Sequence, residues 1–115
     1  MRYLLIIGGN DKNAPAPSPA DSQKTVQAFM RFSEEVHKAG KAVVSERLRP
    51  EDQASRVRVK GGHHQITDGP FNETKEALGG FYLLECASKE EALEWAKKVP
   101  IGESGFVDVR PIWQM

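Results

Sequence analysis

Ile66-Thr67-Asp68-Gly69-Pro70-Phe71, followed by Glu73, Lys75, Glu76 and the pair Gly79-Gly80, lies between two strand-like segments, and its reading decides the fold. Glycine and proline leave this backbone little choice of path, while ionisable side chains crowd a short loop. A rigid loop dense in such groups is where a small domain usually keeps its chemistry. Just upstream, Ser55 to Lys60 and His63 to Thr67 are short segments joined by Gly61-Gly62, a pair able to supply the positive φ angles of a tight hairpin turn. Just downstream, Phe81-Tyr82-Leu83-Leu84-Glu85-Cys86 reads as a strand apolar on both faces.

Further out, Leu4 to Ile7 is another continuous apolar run and predicts a first strand covered on both faces. Asn10 to Pro19, with Pro15, Pro17 and Pro19, is a loop. Ser18 is placed to cap a helix that has Pro19 in its first turn and Gly40 as its stop; Val26, Phe29, Met30, Ser33, Val36 and His37 recur on one side of it. Ala42 to Leu48 predicts a second strand, ended by Pro50. Ser88 with Glu91 has capping-box spacing and opens a second helix carrying Ala92, Leu93, Trp95, Ala96 and Val99, which Pro100 closes. Phe106 to Ile112 alternates in strand fashion.

The order strand, helix, strand, hairpin, strand, helix, strand predicts an α+β, ferredoxin-like βαββαβ domain with an inserted hairpin. Two helices cover only one face of such a sheet, yet two of its strands are apolar on both. A second copy is the simplest cover for the other face, so the expected state is a homodimer packed sheet against sheet.

The 115 residues make one domain, residues 1–115, with room for a single core. Sixteen basic and sixteen acidic residues cancel, leaving no basic surface for nucleic acid and no attraction to a membrane. The opening Met1-Arg2-Tyr3-Leu4-Leu5-Ile6-Ile7 resembles the start of a signal peptide, but Gly8-Gly9-Asn10-Asp11 ends its apolar run too early for an h-region. The lone Cys86 excludes an internal disulfide and is expected as a buried, inert thiol. A cytoplasmic location is expected.

Asp68 can accept hydrogen bonds from its own turn, or serve as a general base or ligand-orienting carboxylate. The second role needs a partner. His63 and His64 point to opposite faces of a strand, and His64 shares a face with Asp68, which makes His64 and Asp68 the candidate proton-transfer dyad. Glu73 and Lys75, with Glu76, form either an ion-pair network fixing the loop or a substrate contact. His37 lies in the helical stripe beside Ser33, on a face that would border an internal cleft. Arg47, Glu85, Asp108 and Arg110 stand on strands; in a dimeric barrel they would line its inside or rim and hold an anionic or aromatic ligand. Trp95 and Trp113 are expected as packing anchors. The HExxH, CxxC, GxxxxGK and GxSxG patterns are missing, which removes the main support for zinc, nucleotide-hydrolase and serine-hydrolase chemistry. No metal or other cofactor is expected.

Taken together, Thr67-Asp68-Gly69-Pro70-Phe71, Glu73-Thr74-Lys75-Glu76 and Leu78-Gly79-Gly80-Phe81-Tyr82 resemble the signature of the DGPF-domain proteins of the YCII-related superfamily. The likeness extends to Arg2-Tyr3-Leu4-Leu5, to Glu91-Ala92-Leu93-Glu94-Trp95-Ala96 and to Val107-Asp108-Val109-Arg110-Pro111-Ile112, most of the chain in the right order. The resemblance implies a dimeric α+β barrel of ferredoxin-like subunits, mostly bacterial and without an assigned activity. It maps the family aspartate onto Asp68 and gives its histidine no firm counterpart.

Two functions fit these expectations. One is a small-molecule enzyme in which Asp68 polarises a histidine; the other is a non-catalytic ligand-binding or regulatory dimer in which the same loop is a structural clamp.

Overall fold

A computed structural model of the chain describes residues 1–9, 18–71 and 77–114. In order these form β1 (Arg2–Gly9), α1 (Pro19–Lys38), β2 (Ala42–Arg47), a 3-10 turn (Glu51–Gln53), β3 (Ser55–Lys60), β4 (His63–Asp68), β5 (Ala77–Glu85), α2 (Lys89–Lys97) and β6 (Gly105–Pro111). The architecture is mixed α+β. Four strands pair in the order β2-β5-β1-β6, each antiparallel to its neighbour, an arrangement compatible with a ferredoxin-like βαββαβ domain. Strands β3 and β4 are inserted between β2 and β5 and form a separate two-stranded sheet.

The helices start where their capping residues direct. Ser18 Oγ accepts from Asp21 N–H at 3.2 Å with Pro19 next in line, and the chain leaves α1 through Gly40 at φ 71°. Ser88 Oγ accepts from Glu91 N–H at 3.2 Å to open α2. Glu91 also reaches back, accepting at Oε2 from Ala87 N–H at 3.4 Å, one residue before the cap. Its other oxygen, Oε1, is 2.9 Å from Lys41 Nζ and ties the start of α2 to the approach to β2.

Strand register decides where the core forms. Tyr3, Leu5 and Ile7 alternate on one face of β1, opposite Leu84, Tyr82 and Gly80 of β5 and beside Val109 and Val107 of β6. Phe32 and Val36 of α1 and Ala92 of α2 close over this face, leaving Leu5, Leu84 and Val36 without solvent exposure. Each such aliphatic side chain contributes about 1.5–3 kcal/mol by leaving water. Phe32 meets Tyr82 edge-on at 5.0 Å and Trp95 at 6.4 Å, so Trp95 is an anchor between the helices.

The opposite face is less covered. Leu4, Ile6, Phe81 and Leu83 alternate onto it and are only half-buried, since both helices contribute to the first face. In register with Leu4 and Ile6 stand Arg110 and Asp108, both exposed.

Two details depart from expectation, at α1 and at Trp113. The buried line of α1 is centred on Phe32 and Val36, while Val26 and Met30 are 40% and 59% exposed and His37 is exposed as well. Trp113 is 89% exposed; it lies past Ile112, whose N–H makes a terminal bond to the Arg2 carbonyl, and so it has left the sheet. The hairpin stands apart from the core: Val57, Val59 and Ile66 share one face and are 60–72% exposed. Gly61 and Gly62 turn it at φ 58° and 79°.

Candidate functional site

The Asp-Gly-Pro-Phe stretch is held by the segment that precedes the hairpin. Asp68 lies opposite Ser55 in the β3–β4 ladder, and Ser55 Oγ donates to Asp68 Oδ1 at 3.0 Å. Gly69 N–H then donates to the Ala54 carbonyl at 2.8 Å. A Cβ on Gly69 would drive into the Glu51 carbonyl oxygen, so only glycine lets the two backbones approach this closely. The Gly69-Pro70 peptide is cis. Phe71 is buried, its N–H donates to Glu51 Oε1 at 3.3 Å, and the Arg56 guanidinium lies 3.9 Å above its ring. The signature is therefore a clamp that fastens the end of β4 to the 3-10 turn.

His64 and Asp68 do share a face of β4, but His64 pairs with Val59 and Asp68 with Ser55, four rungs apart in the ladder. At ~3.3 Å per residue their backbones are about 13 Å apart. Within one chain the strand does not bring them together. His37 is on the exposed side of α1, its Nδ1 donating to the Ser33 carbonyl at 2.7 Å. Arg110 stands on the sheet face away from the helices. Glu73, Lys75 and Glu76 lie outside the described residues.

A cleft of about 820 Å³ opens elsewhere, between α1 and one end of the four-stranded sheet. Its roof is the α1 face running from Ser22 through Val26, Phe29 and Met30 to Ser33, and its floor is Ile7, Gly79, Gly80 and Tyr82. Ser45 and Arg47 of β2 close one side; Pro100 and Ile101, after α2, close the other. The space exists because glycines meet there. Gly80 faces Ile7 across the β1–β5 ladder, and Gly9 faces Gly105 across β1–β6, so several adjoining floor positions carry no side chain. At Gly80 a Cβ would come within 2.7 Å of the Glu46 carbonyl oxygen, which keeps the position bare.

One polar pair is set in this mostly apolar lining. Ser33 Oγ and Tyr82 Oη share a hydrogen bond at 2.6 Å, and the Tyr82 ring is anchored by Phe32. Two hydroxyls joined by one bond retain one O–H and spare lone pairs, so the pair can both donate to and accept from a ligand group. Volume, apolar walls and a convergent polar pair are the usual properties of a small-molecule site. Arg47, in register with Gly80, lies on the cleft side of β2.

Titration shifts lie outside the cleft. Its hydrogen bond to Glu91 raises the Lys41 pKa, and the same bond lowers that of Glu91. Burial raises that of the Cys86 thiol, which keeps it in the unreactive protonated form.

Sequence reading placed the chemistry at Asp68 and expected an internal cleft along the α1 face beside Ser33, but it missed most of the residues that line the cleft, although two of their signals were visible. Ser33 interrupts the apolar stripe of α1, and the doublets Gly8-Gly9 and Gly79-Gly80 mark strand ends without side chains. Only the register shows that these glycines adjoin and that Tyr82 meets Ser33.

These features define the class: an α+β domain whose cleft lies between the first helix and an antiparallel sheet. The chain belongs to the YCII-related domain family, whose model matches residues 1–115. It is 32% identical over 114 residues to the uncharacterized protein R00369 of Rhizobium meliloti (strain 1021), an alignment covering 97% of this chain and 92% of that protein. Among the described residues no helix is long and apolar enough to cross a membrane.

Proposed function

We propose that the chain is a non-catalytic, homodimeric small-molecule-binding module whose ligand lies in the cleft between α1 and the sheet. The observation that carries this reading is the cleft itself, about 820 Å³ with the Ser33–Tyr82 hydroxyl pair in its wall. That volume suits a metabolite-sized molecule. Binding is favoured over proton transfer by Asp68 and His64 because the Asp68 carboxylate is engaged by Ser55 and His64 lies four rungs away along the same ladder. A general base must come within hydrogen-bond reach of its partner, and no residue of β4 offers Asp68 an imidazole at that range. The dimer is supported by Leu4, Ile6, Phe81 and Leu83, which form an apolar sheet face on the side away from the helices.

A metabolite library screened by thermal shift, with hits mapped by amide chemical shifts on the labelled protein, tests this reading. Hits are expected to perturb α1 from Ser22 to Ser33 and β5 from Gly79 to Tyr82. Hits that map instead to the hairpin around His64 and Asp68, or that are turned over with a rate abolished by Asp68→Asn, would overturn it in favour of the enzyme.

A further inference from the structure

Resting on the reading of the cleft as a ligand site, we propose that its ligand is a small organic anion, a carboxylate on an apolar body, with the charged end read by Arg47. The floor and roof supply the apolar contacts, chiefly from Ile7, Phe29 and Met30, and the Ser33–Tyr82 pair supplies one neutral hydrogen-bonding position. These groups leave a charge at the rim without a counterpart. Arg47 is the last residue of β2 and stands opposite Gly80, so its side chain leaves the strand beside a position that offers no side chain to pack on. Among the described residues it makes no ion pair.

Four cations elsewhere in the fold are paired, Lys41 with Glu91, Lys97 with Glu94, Lys98 with Glu35, and Arg2 with Glu85; of the described cations without an ion pair, Arg47 is the one that lines the cleft. The acidic side chain nearest in sequence to the polar pair, Glu34, also borders the cleft; it is exposed and not bonded to Arg47. Guanidinium is a planar fork that matches a carboxylate with two parallel N–H bonds, and it keeps its charge at every physiological pH. Placed where an apolar cleft meets solvent, it selects for charge at one end of a ligand whose other end is buried. Selectivity of this kind comes from leaving no equivalent partner for the neutral analogue.

The test compares acids with their own primary amides, using benzoate, hydrocinnamate and octanoate against benzamide, hydrocinnamamide and octanamide. Affinities are read by amide chemical shifts on the full labelled chain, for the native protein and for Arg47→Gln, with Arg47→Lys as a second variant. Arg47 is exposed at a strand end, so neither substitution disturbs the core. The expected result is cleft binding of acids about tenfold tighter than amides, a preference abolished by Arg47→Gln and weakened by Arg47→Lys. Acids and amides binding the cleft equally would overturn the anion inference while leaving the ligand site intact. If no member of either series perturbs the cleft, both fall.

Discussion

Ser55 donates its hydroxyl to the Asp68 carboxylate at 3.0 Å, across the first rung of the β3–β4 ladder, and this bond gives the most conspicuous acid of the chain a structural task. Asparagine keeps an oxygen that can accept the same bond, so Asp68→Asn is expected to leave thermal stability and ligand affinity close to native. Asp68→Ala removes the acceptor and is expected to cost about 0.5–1.5 kcal/mol, read by denaturant melts. A hundredfold loss of any turnover in Asp68→Asn at unchanged stability would return the carboxylate to catalysis.

Gly69 tests the clamp from its other side. Because a Cβ there meets the Glu51 backbone oxygen, Gly69→Ala forces the strand end away from the 3-10 turn and is expected to destabilise by about 1–3 kcal/mol. Phe71 should become more exposed, with its ring resonances losing the upfield influence of a packed site. A native-like melt for Gly69→Ala would show that the two backbones are not held together.

The Lys41–Glu91 pair predicts a plateau in stability with pH. Glu91 is lowered from 4.5 in the fold, so its contribution is complete above about that pH and is lost as pH falls through the folded value. Lys41 is raised from 10.5, so its contribution is complete below that pH and is lost as pH rises through its folded value. Glu91→Gln should therefore melt lower than native near neutrality and converge with it in acid. A gap that persists unchanged at pH 2 would assign the loss to packing instead of charge.

The uncovered sheet face predicts the assembly. Ile6→Asp places a charge among Leu4, Phe81 and Leu83 without touching the cluster beneath the helices. Light scattering after size exclusion is expected to find a dimer for the native chain and a monomer for Ile6→Asp. A native monomer at 100 micromolar or so would contradict the sheet-to-sheet arrangement, since stable interfaces persist at far lower concentration.

Much of the fold was legible because its signals are local. Ser18 and Ser88 cap the helices, Gly61-Gly62 turns the hairpin, and the continuous apolar runs at Leu4 to Ile7 and from Phe81 mark the two central strands of the sheet. The centre of α1 was less legible, since Phe32 is one position off the stripe through Val26, Met30 and His37, and only packing against Tyr82 decides between them. The site was least legible. Its parts are distant in sequence, Ser33 and Tyr82 being 49 residues apart, and the glycines that open it announce themselves only when the strands are in register. Asp68 drew attention through its charge and its neighbours, but a charge in a tight loop is as well suited to holding the loop as to chemistry.

The measurement that bears most directly on the cleft as a ligand site is a crystal structure of the protein with its tightest small-molecule hit. The account predicts density between α1 and Gly79-Gly80, with a polar ligand atom about 2.6–3.2 Å from the Ser33 or Tyr82 hydroxyl. A ligand seated on the hairpin beside Asp68, with the space under α1 filled only by solvent, would contradict it.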